Sequence, residues 1–148
     1  MPDRPSRATA HVAVALLVAG AVMIGPGLLP GRTVLPLDVV SHYAPWRGQR
    51  AEPVNPLHGD PVLQFASRPL TARALVGGAV PLWDTGSMAG HPMIGDPQAS
   101  PVNPLQLLLL GLFAPLRAAS WQALAHALIA GSGMALWLRE LRARRIAA

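Results

Sequence analysis

The sequence predicts an all-α membrane protein in which two or three transmembrane helices flank an extracytoplasmic loop with short interfacial helices. The 148 residues are 51% hydrophobic and only 13% charged, whereas an average soluble domain is roughly 25% charged. Two uncharged apolar runs lie at residues 8–30 and 118–138. Arginines precede the first run and follow the second. These features together indicate helices that face lipid.

The first apolar run, residues 8–30, contains no Asp, Glu, Lys or Arg, and a bilayer core needs about 20 such residues. A cleavable signal peptide is the alternative, because Arg4 and Arg7 form a basic start and Ala19-Gly20-Ala21 resembles a cleavage site. The apolar run continues past that site, whereas signal h-regions span only about 7–15 residues. We therefore favour an uncleaved transmembrane helix after a cytoplasmic N-terminus, residues 1–7.

The second apolar run, residues 118–138, is followed by an Arg-rich tail, residues 139–148. Because basic ends stay in the cytoplasm, this pattern predicts a multi-pass protein of the bacterial cytoplasmic (inner) membrane. Residues 102–117 predict an interfacial helix, since apolar runs of about 10–14 residues seldom span; a short third span is the alternative. Near His126, Gly131 and Gly133 predict close packing against a neighbouring helix.

The extracytoplasmic loop, residues 31–101, and the segment that follows it contain two helix-start signals, Asp60-Pro61 and Asn103-Pro104. Asn or Asp can cap a helix with its side chain, and Pro suits the first helical turn. The helix after Asp60 is predicted to break at Pro69 or to stop at Gly77-Gly78.

Asp60, Gln64 and Arg68 lie one turn apart along that predicted helix and form a polar edge. An acid, an amide and a guanidinium suit an anionic ligand or a metal-bridged phosphate; the alternative is a solvated face with a capping Asp. Further metal-ligand types occur at Asp38, His42, His58, His91 and Asp96. Side chains of these types can bind a divalent metal ion, but no two of these residues have the tight spacing typical of a metal site.

The composition argues against several classes of function. Cysteine is absent, which removes disulfide frameworks, thiolate zinc sites and cysteine nucleophiles. The 12 basic residues are all arginines and are divided among regions of the chain rather than concentrated in one, so nucleic acid is not an expected partner. The sequence has no nucleotide-binding loop, nucleophile elbow or zinc-helix signature.

Several stretches of the chain carry a family resemblance. They are residues 37–47 (LDVVSHYAPWR), 55–65 (NPLHGDPVLQF), 81–83 (PLW), 90–92 (GHP), 96–100 (DPQAS), 103–108 (NPLQLL) and 131–134 (GSGM). In order and spacing, over roughly residues 10–140, they resemble the N-terminal part of large bacterial membrane proteins of the YfhO-like family, which are similar to GT-C glycosyltransferases. The chain departs from the family pattern at Trp83-Asp84-Thr85, where Trp-Asn-Pro is common.

The resemblance implies a sugar-transfer module that uses polyprenyl-phosphate-linked sugars. It implies that Asp60 is the catalytic acidic residue, as general base or as ligand of a divalent metal ion, and that Asp38 is the reserve candidate. Gln64, Arg68 and His91 are then expected to bind the substrate.

Since such proteins have more membrane helices than this chain, the chain is expected to be an N-terminal portion, inactive alone. Its expected partners are the lipid bilayer, a polyprenyl-phosphate sugar, and the missing C-terminal helices or another membrane protein. The alternative is a small non-catalytic membrane protein whose extracytoplasmic loop mediates a partner or envelope interaction.

Overall fold

A computed structural model describes residues 7–48, 55, 59–86, 89–96 and 99–141. The chain is mostly helical in this part. Its α-helices are α1 (Arg7–Met23), α2 (Asp60–Phe65), α3 (Ser67–Val76), α4 (Pro104–Leu112) and α5 (Pro115–Glu140). Two 3-10 helices, Gly25–Leu28 and Leu37–His42, follow α1, and strands β1 (Trp83–Asp84) and β2 (His91–Pro92) form an antiparallel hairpin.

Helices α1 and α5 pack as an antiparallel pair. A Cβ atom at buried Gly20 of α1 would lie 2.8 Å from Leu124 Cδ1 of α5, and Gly131 of α5 lies against the side chain of Leu16. The missing side chains therefore let the two helices approach closely. The predicted close packing is confirmed at Gly131 but is wrong at Gly133, around which a Cβ would meet nothing within 4 Å.

The segment after α1 is fixed to the first turns of α5. The Val34 N–H donates to Ser120 Oγ at 3.1 Å, and the Thr33 hydroxyl donates to the Leu116 carbonyl at 3.4 Å. Ser120 is buried at this junction. These bonds direct the chain from the helix pair towards the Leu37–His42 3-10 helix.

Helices α3 and α4 and the start of α5 enclose the main apolar core. Leu109, Leu110 and Ala118 are buried at its centre, and Ala72, Leu75, Leu105, Phe113 and Trp121 pack around them. The Phe113 and Trp121 rings stack with their centroids 5.7 Å apart. A fully buried Leu of this kind contributes about 2 kcal/mol to stability, so this cluster holds the three helices together.

The helix-start prediction is confirmed for α4, because the Asn103 side chain accepts the Gln106 backbone N–H at 3.1 Å. At α2 the helix begins where predicted, but the capping role of Asp60 is wrong. Gly59 occupies the cap position, no side-chain cap bond forms, and Asp60 lies in the first turn.

The helix that starts at Asp60 breaks at Ala66, ahead of Pro69. Proline has no N–H to give the Phe65 carbonyl and its ring crowds that carbonyl, which explains the break between α2 and α3. The predicted stop at Gly77-Gly78 is confirmed. Gly78 has a φ of +66°, and the N–H of Ala79 donates to the Ala74 carbonyl at 2.8 Å, as in a Schellman motif.

The prediction of two or three transmembrane helices is wrong for the part of the chain that the structure describes. No helix there is both long and apolar enough to cross a bilayer. Helix α1 ends after 17 residues, ahead of Gly25-Pro26-Gly27, and α5 carries the polar side chains of Gln122 and His126 along its length. The prediction of a multi-pass inner-membrane protein is overturned by the same finding.

Candidate functional site

The two predicted catalytic carboxylates lie on elements that pack against each other. The Leu37–His42 3-10 helix contacts α2. Asp38 is in the first turn of this 3-10 helix and is half-buried, whereas Asp60 is the first residue of α2 and is exposed. We call this junction the Asp38–Asp60 junction; it is where the structure brings the predicted catalytic segments together.

The ring of Tyr43 closes one side of the Asp38–Asp60 junction. Its hydroxyl oxygen lies against buried Gly59, where a Cβ would be only 2.8 Å away. Glycine is therefore needed at position 59 if the Tyr43 hydroxyl is to reach the start of α2. Sequence spacing does not reveal this contact, because the contact depends on how α2 packs against the earlier 3-10 helix.

The predicted polar edge of Asp60, Gln64 and Arg68 is divided by the break at Ala66. Gln64 lies on α2, and its backbone carbonyl accepts the Ser67 hydroxyl at 3.0 Å. Arg68 lies on α3, and its Nη1 donates to Gln122 Oε1 on α5. Burial lowers the pKa of the Arg68 guanidinium below its ordinary value. Arg68 is therefore anchored to α5.

His91 lies on the β-hairpin between two carboxylates. Asp84 Oδ2 is 4.0 Å from His91 Nδ1, and Asp96 Oδ2 is 3.8 Å from His91 Nε2. Both distances exceed hydrogen-bond length, so these two contacts bring the ring close to the carboxylates without a hydrogen bond between the atoms named. Asp84 is 5% exposed, and its Oδ1 accepts the Gly86 N–H at 2.6 Å.

Asp84 is the member of this cluster that sequence reasoning did not assign to the site. It faces His91 because the two residues are cross-strand partners in the hairpin. A strand of two residues is too short to show the alternating pattern by which strands are recognised. The signal in the sequence that points to Asp84 is its position two residues before a turn glycine, Gly86, whose N–H it accepts.

The metal-ligand types noted in the sequence are not assembled into one site within the described ranges. There, no three His, Asp or Glu side chains converge so that they could hold a metal ion. His91 contacts Asp84 and Asp96 through opposite ring nitrogens. His58, which belongs to the predicted set, lies outside the described residues.

A shallow apolar groove of about 390 Å³ lies between α3 and the start of α5. It is lined by Pro69, Ala72, Arg73, Val76 and Pro115. None of the predicted site residues lines it, so the groove is separate from the Asp38–Asp60 junction.

Comparisons with protein-family models, with curated proteins and with solved structures find no match to this chain. They neither support nor oppose the YfhO-like resemblance. The resemblance stays a prediction drawn from the sequence motifs.

Proposed function

We propose that the chain is the N-terminal portion of a glycosyltransferase-like protein that uses polyprenyl-phosphate-linked sugars and needs further helices for activity. The observation that carries the proposal is the Asp38–Asp60 junction, in which the two acidic segments expected at such a site pack together. The sequence resemblance supplies the substrate class.

In this proposal Asp60 is the general base. Its side chain is exposed at the start of α2, so an acceptor hydroxyl can approach it. The hydroxyl oxygen attacks the anomeric carbon of the sugar, its proton passes to the Asp60 carboxylate, and the phosphate leaves with the electrons of the broken bond. Asp38, the reserve candidate, lies in the first turn of the 3-10 helix that packs against α2 and is half-buried, so it is less accessible to an acceptor than Asp60 is.

The test introduces Asp60→Asn at the native chromosomal locus, so that every further segment the enzyme needs is present. Transfer of radiolabelled sugar from a polyprenyl-phosphate carrier is then measured in cell extracts. Loss of a general base typically costs about 10²–10⁴ in rate, so we expect transfer to fall at least a hundredfold, roughly the lower end of that range. Asp38→Asn is expected to cause a smaller loss.

Glu140→Gln is the matched control, because it also converts an exposed carboxylate to an amide but lies at the end of α5. Its transfer activity should equal that of the wild type. Equal activity of Asp60→Asn, Glu140→Gln and wild type would overturn the proposal.

A non-catalytic interaction protein is the second candidate. The observation that favours it is a set of large apolar side chains that are at least half exposed on the α1–α5 pair: Val14, Leu17, Val18, Val22, Ile129, Leu136 and Trp137. Exposed apolar patches mark interaction surfaces in many proteins. A cellular defect caused by Val18→Asp, together with full activity of Asp60→Asn, would favour this candidate.

A further inference from the structure

Arg68 is a half-buried cation whose described partner is neutral. Its Nη1 donates to the Oε1 atom of Gln122. In the described ranges of the chain, no ion pair joins Arg68 to an acidic side chain; the carboxylate contacts found there are those of His91. An amide oxygen satisfies one N–H group but leaves the positive charge of the guanidinium uncompensated.

Gln122 holds the guanidinium in one orientation. It lies on α5, 54 residues further along the chain, and is only 6% exposed. Because Gln122 is fixed within a long helix, the Arg68 side chain loses much of its rotational freedom before any ligand arrives. A ligand that binds there has less ordering entropy to overcome.

The surroundings of Arg68 favour an anion. Burial removes part of the water that would otherwise stabilise the charge, and it lowers the pKa of the group accordingly. A charge that is partly stripped of water gains more from an opposite charge than an exposed one does. The remaining guanidinium N–H groups form a planar fork that matches two oxygens of one phosphate group.

We propose that Arg68, positioned by Gln122, binds a phosphate group. The inference rests on the proposed function, in which the phosphate belongs to a polyprenyl-phosphate-linked sugar. Arg68 is the binding residue and Gln122 is a positioning residue that acts through it. Free phosphate offers the same chemistry, so the two sources are separated by experiment.

The experiment titrates inorganic phosphate into the full chain at constant ionic strength, with chloride as the balancing anion. We expect saturable binding by the wild type. Arg68→Gln should lower the affinity for phosphate about tenfold or more, because it removes a charge-assisted hydrogen bond. Arg73→Gln is the matched control. Arg73 lies on α3 and is exposed, so this variant changes the net charge equally but removes no part of the proposed site.

The role of Gln122 is tested by a double-mutant cycle. Gln122→Met should weaken phosphate binding about threefold or more when Arg68 is present, because coupled residues deviate from additivity. It should have no effect on phosphate binding in the Arg68→Gln background. A purely structural role of Gln122 would give the same change in both backgrounds and would remove it from the proposal.

Arg68→Lys keeps the charge but lacks the planar fork. It provides a second test of phosphate binding if Arg68→Gln does not fold. We expect it to bind phosphate several-fold more weakly than wild type, because the bidentate contact is lost. Binding by Arg68→Lys equal to that of wild type would overturn the proposed fork geometry. Equal losses of phosphate affinity in Arg68→Gln and Arg73→Gln would show non-specific attraction to the net charge of +5 and would overturn the site. The absence of saturable binding by wild type would also overturn it.

A second titration uses citronellyl phosphate, a short prenyl phosphate that remains dissolved. Tighter binding than that of inorganic phosphate, lost in Arg68→Gln, assigns the site to lipid-linked phosphate, whereas equal affinity assigns it to free phosphate. Asp60→Asn should bind either probe at least as well as wild type. Arg68-dependent phosphate binding together with unchanged sugar transfer in Asp60→Asn would keep this inference and remove the proposed function.

Discussion

Replacement of Gln106 by Met should destabilise the fold through one identifiable set of bonds. Gln106 is 1% exposed on α4, and its Nε2 donates to the carbonyls of Ala99 at 2.9 Å and Ser100 at 3.2 Å. These bonds tie the segment after the hairpin to α4. Methionine has nearly the same length and volume, but it cannot donate a hydrogen bond.

The expected loss follows from what each carbonyl retains. The Ser100 carbonyl keeps the Asn103 N–H as a donor at 3.1 Å, so its loss is small. The hydrogen bond from Gln106 to the Ala99 carbonyl is buried, and an unsatisfied buried acceptor costs about 1–3 kcal/mol. We therefore expect the free energy of unfolding to fall by about 2 kcal/mol, and the midpoint of thermal unfolding by about 4–8 °C.

Urea denaturation measures this change, with the slope of the unfolding free energy expected to stay constant. Gln64→Met is the matched control, because the Gln64 side chain is half-buried and makes no hydrogen bond within the described part of the chain. Its stability should lie within about 0.5 kcal/mol of wild type. If Gln106→Met is as stable as Gln64→Met, the two carbonyl contacts do not hold the segment in place.

The remaining predictions concern helix packing and capping, and urea denaturation measures both. Gly131→Ala should destabilise the chain by about 1–3 kcal/mol, because the new methyl group meets Leu16, whereas Gly133→Ala, which meets no neighbour, should stabilise α5 by up to about 1 kcal/mol. Destabilisation of equal size in both variants would contradict the assigned face of α5. Asn103→Ala should cost about 1 kcal/mol by removing the cap of α4, and unchanged stability would show that this cap bond contributes nothing net.

Local signals predicted local structure well. Asn103-Pro104 starts α4 and Gly77-Gly78 ends α3, since a cap bond and a left-handed glycine involve only neighbouring residues. The transmembrane prediction failed because hydropathy counts apolar residues without showing where a helix ends. The apolar run of residues 8–30 crosses Gly25-Pro26-Gly27, but α1 does not.

The candidate site was predicted only in part, because its contacts join distant parts of the chain. The family resemblance singled out Asp60 and Asp38, yet the contact between their segments depends on the packing of a 3-10 helix against α2. The bond between Arg68 and Gln122 spans 54 residues. The contact of Asp84 with His91 depends on the register of a very short hairpin. No periodic pattern connects such pairs, so they become visible only in the folded chain.

The pairing of α1 with α5 sets an order for folding during synthesis. The segment that follows α1 bonds to α5 through Val34 and Ser120, which are 86 residues apart, so α5 is made well after α1. At about 5–20 residues per second, the ribosome needs roughly 4–17 s to cover that interval. During this time the Leu16 and Gly20 face of α1 has no α5 to cover it, so an apolar helix surface stays exposed until the last helix of the described chain is made.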